Sequence, residues 1–227
     1  MLLAGTGRKG EAAWCAAASS GGAQSEESRL PDAVPSPPPA LTALLDRASV
    51  PVDLLRDPAP ERAALDFAVA AALRAPDHGG FKPARFVFIA GEARRAFGEV
   101  LAASLAAREP QTPAARLDVE RSKPLRAPLL VAAGAAVRHD RPGVPAWERE
   151  PSAAAGAMTF LNALDAQGSG AVWLSSGALR DPAVKRALGF ADGDALLGWI
   201  YAGTPAPARP RPARRGPNGF WRDWVPA

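Results

Sequence analysis

The sequence predicts an α+β domain in which helices cover both faces of a single sheet. Segments with helical and strand patterns alternate through most of the chain, which favours a sheet enclosed between helix layers. Residues 128–137 are continuously apolar and too few to span a membrane, which is typical of a strand buried on both faces. One stretch has apolar residues at the spacing of a core-facing helix: Leu65, Ala68, Val69, Ala72 and Leu73.

The first half of this domain is predicted to contain four helices and one strand. A short helix from Leu41 ends near Ser49. Asp57-Pro58 predicts the start of a second helix, because a capping aspartate precedes a proline in the first turn. The next predicted elements are a strand and two helices, the second of them peripheral: Phe86–Ala90, 92–107 and 113–122.

The second half adds the apolar strand at 128–137, a long helix, a second helix and two further strands. The helix over 152–166 is apolar on nearly every side, and such a helix is expected to be buried on every side. In a protein of this size, that pattern favours a subunit interface. Asp181-Pro182 starts another helix, which is predicted to end at Gly189. The remaining strands are Gly170–Ser175 and Leu196–Tyr201.

The charge distribution argues against a nucleic-acid-binding body. The net charge is +4, and the C-terminal segment from residue 205 accounts for it, because the rest has equal numbers of basic and acidic side chains. A nucleic-acid-binding domain needs a basic face, so only an arginine tail that binds nucleic acid remains as a minor hypothesis. The charged residues of that segment are Arg209, Arg211, Arg214, Arg215 and Arg222 against Asp223.

Composition also sets the expected domain limits and compartment. Residues 1–40 are rich in Gly, Ala, Ser and Pro without an apolar period, which predicts a disordered N-terminal extension. The Pro/Arg-rich tail over 206–227 is expected to be extended and solvated. The chain has no apolar run of membrane-spanning length and no apolar secretion signal, so we expect a cytoplasmic protein. One cysteine, Cys15, and two histidines argue against a disulfide framework or a metal centre.

The segment Arg74–Pro83 is the strongest candidate for a ligand-binding loop. It joins the second helix to the strand that begins near Arg85, and Pro76 forces the helix to end before it. Gly79 and Gly80 allow a tight turn and a close approach of the backbone to a bound group. The loop therefore holds a guanidinium, a carboxylate and an imidazole between two rigid elements.

Four motifs in this order resemble the nitroreductase family of FMN flavoproteins, and most closely its small, minimal NAD(P)H nitroreductase branch. The closing Tyr201–Pro205 also fits the last core strand of that family, and the resemblance covers about residues 41–205. The motifs are Arg47-x-Ser49, Arg74-Ala-Pro-Asp-His78 with Lys82-Pro83, Trp147-Glu148-Arg149-Glu150, and Gly168-Ser-Gly-Ala-Val-Trp173-Leu-Ser-Ser176-Gly177.

The resemblance implies a nitroreductase-like three-layer α/β/α sandwich with a central mixed sheet. It also implies an intertwined homodimer in which each FMN site uses residues of both subunits. NADH or NADPH would supply electrons to the flavin, and a small-molecule acceptor such as a nitroaromatic or a quinone would remove them in a second half-reaction. The protein is thus expected to be an NAD(P)H-dependent FMN oxidoreductase.

The resemblance also assigns candidate FMN contacts. The planar fork of arginine suits a phosphate dianion, so Arg47 and Arg74 are the candidate phosphate ligands, and His78 is a candidate donor to phosphate or ribityl oxygen. No catalytic acid–base residue is predicted, because a flavin carries the redox chemistry while the protein supplies position and electrostatics. No metal ligand is predicted. The full set of cofactor contacts is Arg47, Ala48, Ser49, Arg74, His78, Trp173, Leu174, Ser175 and Ser176.

The same residues have ordinary structural interpretations. Arg47 would then be a solvated residue at a helix end, and Arg74 would compensate the dipole of a helix C-terminus. His78 would make a structural hydrogen bond in its loop. Trp173 would be a core residue.

The first motif departs from the family pattern. The family usually has two adjacent arginines with another shortly after, whereas this chain has Ala48 and then Val50-Pro51-Val52-Asp53. Each lost charged hydrogen bond costs about 1.5–3 kcal/mol, so we expect weaker FMN binding. This keeps open a second function, a non-catalytic flavin-binding sensor or carrier on the same scaffold.

Overall fold

The computed structural model describes residues 37–137, 144–207 and 219–226. The chain divides into two compact units, and the larger one, Asp46–Pro210, contains the whole sheet. The described parts of the smaller unit are residues 37–45 and 219–226.

In the smaller unit, helix α1 (Pro39–Asp46) begins two residues before the predicted start and reaches the first residue of the larger unit. Phe220, Trp221 and Trp224 are exposed in the described C-terminal stretch. Several sequence predictions concern residues outside the described ranges. They are the disordered extension up to residue 36, which includes Cys15, the loop residue His139, and the tail over 208–218.

The described residues form a sheet of five strands, which are β1 (Leu55–Arg56), β2 (Ala84–Ala90), β3 (Leu129–Ala135), β4 (Gly170–Leu174) and β5 (Ala195–Pro205). Their order is β1-β5-β3-β2, with β4 paired to β5 as well. Every described pairing is antiparallel.

The predicted α+β class is confirmed, but the predicted mixed sheet is antiparallel in the part of the chain that the structure describes. The strands β3 and β4 lie on opposite sides of β5, and each pairs antiparallel with it. They therefore run parallel to one another but are not neighbours. The two-residue strand β1 was not predicted.

The described part of the larger unit contains five helices, which are α2 (Arg62–Ala72), α3 (Ala93–Arg108), α4 (Ala114–Ser122), α5 (Arg149–Ala166) and α6 (Pro182–Ala187). Four of them contribute to the cores on the two faces of the sheet, whereas α4 packs on α3.

Alternate residues of β3 show that both of its faces are covered. Leu130 and Ala132 join the core cluster that contains residues of α3 and α6, whereas Leu129 and Val131 join the cluster that contains residues of α2 and α5. The three-layer α/β/α sandwich and the fully buried strand are thus confirmed.

The predicted start of α2 was wrong. The helix begins at Arg62 with Glu61 as its N-cap residue, rather than at Asp57-Pro58. A second proline, Pro60, restricts Ala59 to conformations outside the α region, so the helix begins only after it. The predicted core face of α2 is correct at Leu65, Ala68 and Ala72, which are buried, but wrong at Leu73, which is exposed because the helix ends at Ala72.

Helix α5 is buried on one side only. Phe160, Leu164 and Ala157 are buried against the sheet, but Ala155 and Met158 on the other side are exposed. The expectation that this helix is buried all round is therefore not met within one chain. What remains is an exposed apolar side on the central helix of one layer.

Helix α6 begins and ends as predicted. Asp181 caps it by accepting a hydrogen bond from the backbone N–H of Ala183 at 2.8 Å, and Gly189 adopts a left-handed φ of 78° just beyond its end. Among the described helices, none combines the length and the hydropathy that a membrane crossing requires.

Candidate functional site

The loop between α2 and β2 is held in one conformation by its own aspartate. Asp77 accepts a hydrogen bond from the backbone N–H of Lys82 at 2.6 Å, and its side chain is only 3% exposed. Gly79 and Gly80 have φ values of 84° and 68°, and Lys82 has a φ of 50°. A left-handed backbone conformation is unfavourable for lysine, so the hydrogen bond from Lys82 N–H to Asp77 helps to maintain this conformation.

The first turn of α5 meets this loop and fixes it from the other side. Ser152 Oγ donates to the carbonyl of Pro76 at 2.7 Å. Nδ1 of His78 lies 2.7 Å from Oε2 of Glu148, and Nη1 of Arg149 donates to the carbonyl of His78 at 3.1 Å. The second and third sequence motifs, which are about 70 residues apart, are therefore in direct contact.

Arg149 is the least expected member of this contact. It is 2% exposed, and its guanidinium carbon lies 3.3 Å from the centre of the Phe81 ring, a cation–π contact. Its Nε and Nη2 atoms are buried and have no hydrogen-bond partner among the residues described. The sequence motif contained Glu148 and Arg149, but no role was predicted for either residue.

The first motif lies beside strand β4. The backbone N–H of Val50 donates to the carbonyl of Ala171 at 3.0 Å. Ala48 is buried, Ser49 is exposed and Arg47 is half-buried. The segment that carries Arg47 and Ser49 is thus attached to the strand whose other end carries Trp173.

The fourth motif follows the C-terminal end of β4. Nε1 of Trp173 donates to the carbonyl of Leu197 at 3.3 Å, and Nε1 of Trp199 donates to Oγ of Ser176 at 2.9 Å. Ser175 is exposed, while Trp173 and Leu174 are half-buried. Trp173 therefore has a structural role in the sheet, which agrees with the ordinary interpretation of this residue, and it keeps an accessible part.

The two candidate phosphate ligands are attached to different faces of the sheet. Arg74 follows α2, which packs on the α5 face, whereas the segment after Arg47 places Val50 in the core cluster of the α3 face. Within the described ranges, neither guanidinium makes a hydrogen bond or an ion pair, and no contact joins the two. Within one chain, the segment that follows Arg47 and the helix that precedes Arg74 thus pack on different faces of the sheet.

A family model described as "Nitroreductase family" matches residues 44–204. The chain belongs to the nitroreductase family. It is 36% identical over 166 residues to the Escherichia coli K12 protein named "Putative NAD(P)H nitroreductase YdjA", a match that covers 73% of this chain and 88% of that protein. The predicted family membership is confirmed.

Solved structures of this family share the fold. The crystal structure of a nitroreductase-like family protein from Bacillus cereus matches with a TM-score of 0.69 and 20% identity, over 85% of this chain and 99% of that chain. A Bacteroides fragilis nitroreductase with bound FMN matches with a TM-score of 0.62 and 16% identity, over 83% and 100% of the two chains. At these identities the similarity establishes the nitroreductase fold.

Proposed function

We propose that this nitroreductase-family protein is an FMN-dependent NAD(P)H oxidoreductase that reduces nitroaromatic, quinone or related acceptors. Electrons would pass from NADH or NADPH to the flavin and then to the acceptor in a ping-pong cycle. The observation that carries the proposal is the preformed loop of residues 74–83, which begins with an arginine that has no partner among the described residues and holds its histidine against α5.

The candidate phosphate ligands fit a dianion. Arg47 and Arg74 have no competing hydrogen bonds or ion pairs with the residues described, and the hydroxyl of Ser49 is exposed. Charge-assisted bonds from guanidinium groups to phosphate are short and strong. Ala48 supplies no side-chain donor, so its contribution would be limited to its backbone.

The remaining contacts fit the polar chain and the ring. Nδ1 of His78 is engaged by Glu148, which leaves Nε2 for a ribityl or phosphate oxygen. Ser175 is exposed, and Oγ of Ser176 accepts from Trp199 and can still donate its own proton. Trp173 and Leu174 would contribute the apolar surface beside the ring.

Bound FMN would supply the acceptance and release of two electrons. The protein would bind the phosphate, orient the ring and exclude water, and none of its side chains is assigned as a catalytic acid or base. The positions of nicotinamide and acceptor over the ring would then determine the rate.

We propose a homodimer with shared sites, because in one chain the segments next to Arg47 and Arg74 pack on different faces of the sheet. The exposed apolar side of α5 around Met158 is the proposed contact surface. We also propose that residues 41–205 form the FMN domain, between an N-terminal extension and the tail over 206–227, and that the protein works in the cytoplasm.

The absorption spectrum of the purified protein tests this function. Flavin bands that bleach rapidly when NADH or NADPH is added without oxygen, and return when a nitroaromatic or quinone follows, are the expected result. A protein without flavin that also fails to bind added FMN would contradict the proposal. Bound flavin that neither nicotinamide reduces would instead favour a sensor or carrier, the alternative that the missing arginine at Ala48 suggests.

A further inference from the structure

Arg149 carries a charge into the interior next to the proposed ligand loop. It is the first residue of α5 and one of the largest fully buried side chains in the described part of the chain. By contrast, Arg108 at the end of α3 forms an ion pair with Asp181 at 3.1 Å. Arg149 has no such carboxylate partner among the described residues.

A buried charge of this kind is unfavourable for stability. Removing a guanidinium from water is costly, and the buried Nε and Nη2 atoms recover none of that cost through protein acceptors in the described residues. Replacing a buried charge by an apolar side chain of similar size is often neutral or stabilising. Fold stability therefore does not explain why an arginine occupies this position.

The two contacts that Arg149 does make lie on either side of the glycine pair in the loop. Its Nη1 atom holds the carbonyl of His78 on one side, and its guanidinium stacks on the ring of Phe81 on the other. The carbonyl of His78 belongs to the peptide group that leads into Gly79, whose left-handed φ is 84°. Fixing this peptide plane fixes the direction in which the side chain of His78 leaves the backbone.

Glu148 completes the arrangement. Its carboxylate holds Nδ1 of the same imidazole at 2.7 Å. Consecutive residues of one helix turn therefore constrain the backbone and the ring of His78 separately, and only Nε2 remains for a ligand. This is the way in which supporting side chains orient a ligand-binding histidine in general.

We infer that Arg149 is a positioning residue that orients His78 for FMN. The inference rests on the proposed function, because it names FMN as the ligand of His78. Arg149 acts through the loop and does not itself contact the cofactor.

The test compares Arg149→Met with Arg149→Lys. Methionine keeps an unbranched chain in the core but cannot donate to the carbonyl of His78, whereas lysine keeps a charge and a donor. We expect FMN to dissociate about tenfold more readily from the methionine variant, and the lysine variant to recover part of this loss. The urea midpoint of the FMN-free methionine variant is expected to be equal to or above that of the wild type.

A double-mutant cycle separates positioning from packing. In a His78→Ala background, Arg149→Met is expected to change the Kd for FMN by less than about twofold, because the residue through which Arg149 acts is gone. An equal loss of affinity in both backgrounds would overturn the inference. So would a loss of affinity that is matched by a loss of FMN-free stability, or an unchanged Kd in the first background.

Nuclear magnetic resonance of the FMN-free protein provides a readout that does not depend on the cofactor. The chain has only two histidines, so selectively labelled imidazoles give two sets of ring nitrogen signals, and the set that disappears in His78→Ala belongs to His78. We expect Arg149→Met to shift or broaden the signals of His78. Unchanged His78 signals would refute the positioning role, whereas failure of the wild type to bind FMN would refute the proposed function even if His78 responds.

Discussion

The Nδ1 atom of His78 lies 2.7 Å from Oε2 of Glu148, and these residues are 70 positions apart in the sequence. An ionised carboxylate can only accept, so the shared proton belongs to the imidazole and the free ring nitrogen is Nε2. This contact joins the loop after α2 to the start of α5. It makes the proposed ligand loop part of the rigid scaffold.

Replacing Glu148 should loosen the imidazole with little effect on the fold. The pair is largely exposed on the histidine side, so we expect Glu148→Ala to change the free energy of unfolding by less than about 1 kcal/mol. FMN affinity should fall several-fold, and Glu148→Gln should lose less because an amide oxygen still accepts from Nδ1. Fluorescence titration of FMN and urea unfolding measure the two effects. Glu150→Ala is the control in the same turn, and an equal effect of the two alanine variants would contradict the role of Glu148.

Arg47 and Arg74, which have no partner among the described residues, allow a test of shared sites. Arg47→Ala and Arg74→Ala should each weaken FMN binding about 10- to 100-fold, as expected for a lost charged hydrogen bond. If each site takes one arginine from either chain, a mixed dimer of the two variants contains one intact site. Half of the sites in co-expressed, doubly tagged mixed dimers should therefore bind with wild-type affinity.

The control for the arginine variants is Arg62→Ala, because Arg62 is exposed and pairs with Asp66 on the surface of α2. Mixed dimers that bind no better than the parent variants would show that both arginines serve one protomer, or that they do not contact FMN at all.

A charge on the apolar side of α5 should weaken self-association. Met158 is 40% exposed in one chain, and Met158→Asp would place an unpaired carboxylate in the proposed interface. Because burying one unpaired charge is costly, we expect the dimer Kd to rise by a factor of about ten or more. Sedimentation experiments measure this change. Val119→Asp is the matched control, because Val119 is 56% exposed on α4, which has no buried residues. Equal dissociation of the two variants would exclude α5 as the contact surface.

Asp181 should give a stability contribution that depends on pH. A hydrogen bond from Ser104 Oγ at 2.5 Å is the main cause that lowers the pKa of Asp181, assisted by Ala183 N–H and Arg108 and opposed by burial. A lowered carboxyl pKa stabilises the fold above the ordinary value of about 3.9, and this contribution is lost as the pH falls through the lowered pKa.

Asp181→Asn keeps an N-cap acceptor and removes the charge. We expect it to lose about 1–2 kcal/mol of unfolding free energy at pH 7, and the difference from the wild type to shrink below about pH 4. Urea unfolding between pH 7 and pH 2.5 measures this, with Asp192→Asn on the surface as the control. A difference that stays constant over this range would refute the explanation.

The two glycines of the ligand loop should respond differently to alanine. A Cβ atom at Gly80 meets none of the described residues within 4 Å. Gly80→Ala should therefore lower the free energy of unfolding only by the cost of a left-handed backbone at a non-glycine residue, about 1–2 kcal/mol. A Cβ atom at Gly79 would overlap the ring of Phe81, so Gly79→Ala should cost more and should also displace the ring from Arg149. Equal unfolding free energies for the two variants would contradict this geometry.

Local patterns predicted most of the fold and failed where a second feature competed. The periodic stripe of α2 and the apolar run of β3 were correct because burial imposes those periods directly on the sequence. The start of α2 was misplaced because Pro60 overrides the signal of Asp57-Pro58. The mixed sheet was an expectation taken from the family resemblance, and nothing local to β3 or β4 shows that β5 lies between them and pairs antiparallel with both.

The sequence by itself determined the layered α+β fold, the family motifs and the loop that contains Arg74 and His78. Each of these features is recognised from patterns of residues that are close together along the chain. Only the tertiary structure showed that Glu148 and Arg149 hold His78 and that the segments next to Arg47 and Arg74 pack on different faces of the sheet. Those relationships depend on how segments that are far apart in the sequence pack against each other. Such contacts produce no periodic pattern in a single sequence.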